Sequence, residues 1–553
     1  MSPFRPRERY QDLKRYSAIA RVLVRHGFKE VLDRLRARYH VTFVKEEARN
    51  GRPTAERLRL VFEELGPTFI KFAQVLSSRP DVLPSEIIKE LSKLQDDVPP
   101  FAFENARALI ENQFGRPVSE LFSSIDARPA AAASLAQVHR AWTTSGDEVV
   151  IKVQRPGIVK MIETDIRILR EFAGLAHKHV PEIRCFEPVR LVDGFARTIR
   201  HELDFIREGR NIERFRTYFA STPTVYIPRV YWDLTTRKVL TIEFIDGIKI
   251  SELDRLEAAG LDRKAIALNG AHLTLKEIFE FHFFHADPHP GNIFVLKDNV
   301  IAPVDFGMTG FIDEETAYQM SGIFVAVMEK DVEELVLQLR SIGLVELEDY
   351  YNFKIEVRDL LERYWGVPLN KLEIGPIISE LMSVVRRYRL RLPPDFAMIA
   401  KALLMSEGLG RLLHPEFNIV EIARPYARKL ILQRFDPGRQ LHELKKTAGD
   451  AFAFFKVLPS DLRELFAIIR KGKLAVNFEH RGLELLTDEL DRSSNRISFA
   501  VVIAALIVGS SLIFQTRVGP TFFGYPVLGL GGFLLASILG IWLLIGIMRS
   551  KRL

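Results

Sequence analysis

Between His285 and Gly307 the chain reads HADPHPGNIFVLKDNVIAPVDFG, with Asp287 and Asn292 five apart and Asp305-Phe306-Gly307 beginning thirteen residues after Asn292. Asn292 and Asp305 offer two hard oxygen ligands of the kind that hold Mg²⁺ against nucleotide phosphates. Asp287 is of the type that orients, or takes the proton from, an attacking hydroxyl. The stretch between them, IFVL, then Lys-Asp-Asn, then VIAPV, predicts a small β-hairpin. Acid, amide, hairpin and DFG come in the order found in the large lobe of a protein kinase. DFG alone is short enough to occur by chance, and His282, His285 and His289 raise the competing reading of a zinc site. Pro288, Pro290 and Gly291 argue against a helical array of metal ligands. The combined spacing favours phosphoryl transfer over either alternative.

Such a site needs a second set of groups, carried by a small lobe upstream. Residues 129–153 read PAAAASLAQVHRAWTTSGDEVVIKV, two strand-like runs about a Thr-Ser-Gly-Asp turn, and Lys152 falls near the end of the second. A strand lysine after V-x-I is where kinases place the cation for the α- and β-phosphates. The phosphate-covering loop that should precede it has no glycine; Ala130, Ala131, Ala132, Ala133 and Ser134 stand there. Alanine allows a fairly close backbone approach but disfavours φ > 0, so this loop is expected to be stiffer than a glycine-rich one. A helical glutamate must hold Lys152. Helical patterns at 158–177 and 187–216 supply Glu202, with Asp204 close by, as the first choice and Glu163 as the rival. Two further strands lead to Glu243–Gly247, where the lobes would hinge and an adenine edge would meet the backbone. A helix over 263–284 then enters the loop of Asp287.

Other features place the chain in the cell. Ile497 to Phe514 and roughly Phe522 to Met548 are two apolar, uncharged runs broken by Arg517, Gly519 and Pro520. Each is near the ~20 residues that span a bilayer as a helix. Arg492 and Arg496 before the pair, and Arg549, Lys551 and Arg552 after it, put both ends on the cytoplasmic side by the positive-inside tendency. The large N-terminal part is then cytoplasmic and the protein integral to the cytoplasmic membrane. Net charge is only +7, yet residues 1–52 carry fourteen Lys and Arg against six Asp and Glu. That block reads either as a membrane-surface element or as a solvated basic face. No aromatic platform accompanies it, so nucleic acid is not an expected partner. Cys185 is the single cysteine, which excludes an intrachain disulfide and a cysteine metal cage.

Taken together these residues resemble the UbiB family of atypical kinase-like proteins, which in eukaryotes includes the ADCK proteins. The likeness is close over roughly residues 15 to 310. The Lys-x-Gly-Gln hallmark appears as Lys71-Phe72-Ala73-Gln74, and the alanine-rich loop, the Glu202–Asp204 pair and the HxDPHPGN loop also match. Ala73 and Ala286 depart from the family pattern, each standing where glycine is usual. The resemblance implies a helical extension that folds Lys71 and Gln74 over the nucleotide site, in the place of a peptide substrate. It further implies a chain that binds ATP and Mg²⁺, is poorly built to phosphorylate proteins, and supports the synthesis of ubiquinone or a related isoprenoid quinone.

The expected architecture is α+β: a two-lobed protein-kinase-like fold with an N-terminal helical extension and a C-terminal transmembrane helical hairpin. Its segments are a basic helical stretch (1–60), the extension (61–125), the small lobe with inserted helices (126–247), a helical large lobe and link (248–490), and the two spans (497–548). Expected partners are membrane lipids and isoprenoid quinone precursors or the enzymes that make them. Phosphotransfer to a small lipid or isoprenoid alcohol, and a non-catalytic ATP-gated lipid scaffold, share the same nucleotide site and stand as alternatives.

Overall fold

Successive residues of a strand point to opposite faces, and that alternation aims Lys152. In β4 (Glu148–Gln154) the side chains of Val149, Ile151 and Val153 are fully buried on one face. They pack with Val239, Phe122 and Ile110 beneath the helix Phe103–Phe114. Lys152 is left on the other face. Its strand lies between β3 (Ala136–Thr143) and β5 (Val239–Glu243), both antiparallel to it, and β1 (Phe122–Ile125) and the short β2 (Ala131–Ala132) flank β3. Lys152 itself is paired with Val138 and Leu240.

The computed structural model of the chain describes residues 6–28, 53–77, 79, 82–94, 98–179, 187–342, 350–364, 373–388, 390, 393–434, 483–516, 520–522 and 525–549. Residues 29–52 of the basic segment lie outside the described residues, as do Cys185, Arg517, Lys551 and Arg552. The chain divides into two compact units, one ending at His442 and one starting at Glu443.

In the first unit the helices Pro6–Arg25, Thr54–Leu65, Pro67–Ser77 and Ser85–Leu91 form the extension. They share a core with the inserted helices Ile158–His179 and Pro188–Glu202. Phe72 meets Phe62 and Phe195 edge-on at 6.3 and 5.0 Å, so the helix carrying Lys71 is bound to both sets. Gly66 turns the chain between two of these helices at φ +92°, a backbone that L side chains rarely adopt. Arg15, in the basic segment, is not a free surface cation. Its guanidinium grips the fully buried carboxylate of Asp165 at 2.7 and 3.0 Å and the Leu65 carbonyl at 2.8 Å.

The 187–216 stretch forms two helices. It breaks at Leu203–Asp204, where the Asp204 carboxylate accepts from Ile206 N and caps the new helix Phe205–Phe219. The large lobe is led by the helix Arg263–Phe279, which ends earlier than its pattern predicts because Phe283–His285 forms β7 and pairs with β10 (Thr309–Phe311). The hairpin between Asn292 and Asp305 is present as β8 (Ile293–Val295) and β9 (Ile301–Pro303), with β6 (Ile248–Lys249) paired to β8. Its turn uses Asp298 and Asn299 at φ near +60°, the two residue types that best tolerate it. Among the described residues, six helices from Glu314–Glu329 to Ile419–Arg434 follow in the lobe.

In the second unit the helices Leu483–Thr516 and Val527–Arg549 are long and apolar enough over Ser493–Thr516 and Val527–Leu544 to cross a membrane. The pair of strands Thr521–Phe522 and Tyr525–Pro526 joins them, so the second helix begins five residues after Phe522. Ser510 and Ala536 are buried between the two, Gly529 and Gly532 face Phe514 and Ser510, and Phe499 meets Trp542. Small residues at such a contact let apolar helices approach closely. The two helices could thus anchor the chain in a membrane.

Breaking the Arg15–Asp165 contact should be costly, because it leaves a carboxylate buried without its partner. Arg15→Ala is expected to lose on the order of 3 kcal/mol of stability, with Arg15→Lys in between because an ammonium cannot make the two-pronged contact. Denaturant unfolding of the detergent-solubilised chain checks this, and an unchanged midpoint for Arg15→Ala would show the contact to be dispensable.

Candidate active site

A cavity of about 790 Å³ opens between the sheet, the extension and the large lobe. Lys71, Gln74, Ala133, Ser134, Lys152, Glu202, Asp287, Asn292 and Asp305 all line it. Residues up to 334 positions apart in sequence are thereby brought to one site.

Its centre is the Lys152 ammonium, 2.7 Å from Glu208 Oε1 and 3.5 Å from Asp305 Oδ1. The helical glutamate on Lys152 is therefore Glu208, and the sequence-based choice of Glu202, with Glu163 as rival, is corrected. The helix break at Asp204 is the reason. Glu208 lies in the first turn of the new helix, on the buried stripe Phe205, Glu208, Ile212, Phe215 and Phe219 that faces the site. Glu202 ends the preceding helix and sits 3.6 Å from the Lys71 ammonium instead. Glu163 forms a two-pronged pair with Arg200 at 2.7 and 2.8 Å, away from the cavity. The sequence signal that the choice of Glu202 overlooked is a glutamate embedded in the apolar stripe Phe205, Ile212, Phe215 and Phe219.

Burial works against the Lys152 charge, but the carboxylates of Asp305, Glu208 and Glu202 outweigh it and hold the ammonium above its ordinary range. Burial raises the Glu208 carboxyl to about 7, opposed by Lys152 and reinforced by the negative Asp305. Asp305 is likewise disfavoured by burial, yet Lys152, the donated N–H of Gly307, His285 and Lys71 keep it well below the usual carboxylate range. Asp305 is thus the firm anion of the site. The Asn292 amide donates to its Oδ2 at 3.4 Å, so the two oxygen-bearing side chains converge on one point.

His285 joins the two aspartate segments. Its Nε2 donates to the Asp305 carbonyl and its Nδ1 accepts from Asp287 N at 3.1 Å, which fixes one neutral tautomer. Burial holds its pKa low. Both ring nitrogens are consumed, and His289 Nδ1 accepts from Gly291 N at 3.1 Å. Among the described residues no cluster with metal-ligand chemistry of the His, Cys, Asp and Glu kind occurs, against the zinc reading. A residue that sequence reasoning missed completes the wall: Lys401, in the helix Pro394–Leu413, lies 2.8 Å from Asp287 Oδ1.

Several candidates lie off the cavity wall. Ala131 and Ala132 form β2 against β3, and Ala130 donates to Val138 O, so the alanine loop is half strand. Asp204 is taken up as the helix cap. The Glu243 carboxylate accepts from Tyr226 O–H at 2.7 Å and Arg229 N at 3.1 Å and so braces the hinge. Ala73 and Ala286 are buried, and neither adopts a positive φ.

Comparison with known proteins places this geometry. The ABC1 atypical kinase-like domain matches residues 93–339, the UbiB helical domain 357–418, and the ABC1/UbiB kinase-like C-terminal domain 481–549. An uncharacterized protein in the hydrogenase 1 5′ region of Clostridium pasteurianum is 34% identical over 96% of this chain and 99% of its own length. A probable protein kinase UbiB of Marinobacter nauticus is 35% identical over 83% of this chain and 84% of its own. The chain belongs to the ABC1/UbiB family. Among solved structures, the complex of Rv3197 with erythromycin from Mycobacterium tuberculosis is similar at 23% identity and a TM-score of 0.47, covering 68% of this chain and 95% of that one. Within the family's domains, Lys152, Glu208, Asp287, Asn292 and Asp305 fall in the kinase-like domain, whereas Lys401 falls in the helical domain.

Beneath the site, Glu277 is buried in the helix Arg263–Phe279 and accepts from His285 N at 3.0 Å. Burial raises its carboxyl from 4.5 to about 8, against that one stabilising N–H. The unfolded chain releases this proton near 4.5 and the folded chain only near 8, so raising the pH through that window favours unfolding. Glu277→Gln should therefore gain stability over the parent above the window and show no gain below it. Parallel stability curves across the window would show that Glu277 is ionised in the folded chain.

Proposed function

We propose that this chain is a membrane-anchored ATP-binding protein that hydrolyses ATP in support of ubiquinone or related isoprenoid-quinone formation. The observation that carries the reading is the Lys152 ammonium held between Glu208 and Asp305, with Asp287 and Asn292 in the same cavity. A kinase-like fold of this kind implies ATP and Mg²⁺ in general. Asn292 and Asp305 are the residues that would hold the metal, whose chemistry there is to neutralise phosphate charge. The Ser134 hydroxyl, buried beside the cavity with no hydrogen-bond partner among the described residues, supports a phosphate at the loop, since an orphaned buried donor is otherwise costly. Asp287 acts on the attacking water, and Lys152 places the α- and β-phosphates. Lys71 and Gln74 line the cavity, and the family resemblance puts their helix where a peptide would bind, which disfavours protein substrates. The name UbiB borne by relatives supports the quinone assignment, and the basic flanks of the apolar hairpin support a cytoplasmic site on the inner face of the membrane.

One observation favours a second reading, phosphotransfer to a small lipid or isoprenoid alcohol. Besides Asp287, the cavity is lined by Ile88, Leu91, Leu94, Ala397, Leu404 and Met405, an apolar wall of the kind that takes a lipid chain. Following the γ-phosphate of labelled ATP into water or into extracted lipid separates the two.

Asp305→Asn should abolish Mg²⁺-dependent nucleotide binding with the fold intact, because it removes the firm anion of the site. Asp287→Asn should keep binding and lose turnover by about 10²-fold or more, as expected for a group that acts on the attacking oxygen. Isothermal titration and phosphate release measure the two effects. Unchanged Mg-ATP affinity in Asp305→Asn sinks the nucleotide assignment. Removal of residues 497–553 should leave a protein that alkaline carbonate releases from membranes; continued resistance to extraction would mean that another segment embeds.

A further inference from the structure

The segment from Asp287 to Asn292 is Asp-Pro-His-Pro-Gly-Asn, with no lysine or arginine in it. A phosphoryl group at the end of a nucleotide carries charge on its outer oxygens, and a site that binds it needs a cation there. The cations already placed are committed deeper in the cavity or at its roof: Lys152 lies between Glu208 and Asp305, and Lys71 beside Glu202. Lys401 reaches the gap. Its Nζ is 2.8 Å from Asp287 Oδ1, and both side chains remain partly open to the cavity, 22% and 31% exposed.

The helix Pro394–Leu413 is built to present this one charge. Ala397, Ala400, Lys401, Leu404 and Met405 share the face that lines the cavity, and Lys401 alone among them is charged. Beyond the cavity the helix is pinned: the Glu407 carboxylate accepts from the N–H groups of Ile374 and Gly375, both at 3.2 Å. Arg263 also donates to the carbonyls of Leu412 and Leu413 at 3.1 and 3.0 Å. The lysine stem therefore swings from a fixed base, and a lysine on an apolar helical face is costly unless its head meets an anion.

Resting on the nucleotide assignment above, we propose that Lys401 is a binding residue for the terminal phosphate of the nucleotide. Its ammonium rests on Asp287 and contacts an oxygen of that phosphate when the nucleotide enters. The kinase-like domain alone then makes an incomplete site, and the helical domain supplies the missing cation.

The test compares Mg-ATP and Mg-ADP binding to the full detergent-solubilised chain, since only ATP carries the terminal phosphate. Lys401→Ala should weaken ATP about tenfold and leave ADP within about twofold, a difference a merely structural role would not produce; Lys401→Arg should recover most of the loss. The same substitution in an Asp287→Asn background separates direct contact from simple neutralisation of Asp287. The ATP-over-ADP loss persists there if Lys401 touches the phosphate. Its disappearance in that background, an equal loss for both nucleotides, or no loss at all each overturn the proposal. A parent chain that binds neither nucleotide overturns the nucleotide assignment itself, and this inference with it.

Discussion

A lysine ammonium placed between a sheet and a helical lobe must be met by carboxylates, or its desolvation goes uncompensated. Lys152 is met by two, and each comes from a different part of the chain: Glu208 from the helix Phe205–Phe219 and Asp305 from the large lobe. Much of the site's geometry follows from satisfying that one charge. The helix bearing Glu208 is further tied to the DFG segment by Asn211, whose amide donates to Phe306 O at 3.1 Å, and by Phe215 against Phe306 at 4.9 Å. Phe205, at the start of the same helix, lies under the Lys152 ammonium at 5.5 Å. Sheet, helix and DFG are therefore positioned as one body around the ion cluster.

The segment after DFG is short and has little freedom. Six residues separate Gly307 from the first residue of the helix Glu314–Glu329, and three of them are spent in β10 against β7. Gly310 sits directly on the Phe284 ring, where a side chain has no room. With His285 bridging the backbones of Asp287 and Asp305, the two aspartates are held by one buried, neutral imidazole. The charges of the site are set by burial and by the neighbouring ions.

The extension and the helical domain both reach the cavity, and each brings a lysine. Lys71 is anchored by the aromatic cluster Phe62, Phe72 and Phe195, and Lys401 by the pinned helix of the large lobe. Opposite charges at both rims, Glu202 and Asp287, keep these ammonium groups at defined places in the free protein.

By itself the sequence determined those features whose physics is local. The hairpin between Asn292 and Asp305, the strand bearing Lys152 and the two apolar helices follow from alternation, from turn residues and from length. The spacing of Asp287, Asn292 and Asp305 is short enough that their convergence is nearly a property of one loop and one hairpin. The partner of Lys152 was not legible with confidence, because a periodic pattern over 187–216 does not reveal that the Asp204 cap restarts the helix and turns Glu208, rather than Glu202, toward the site. Lys401 was not legible at all. It lies 114 residues after Asp287, and on paper it is one lysine on an amphipathic helix. Only the packing of that helix against the rest of the lobe decides which face meets the cavity, since side-chain contacts between distant segments depend on the summed burial of the whole core and leave no trace in spacing.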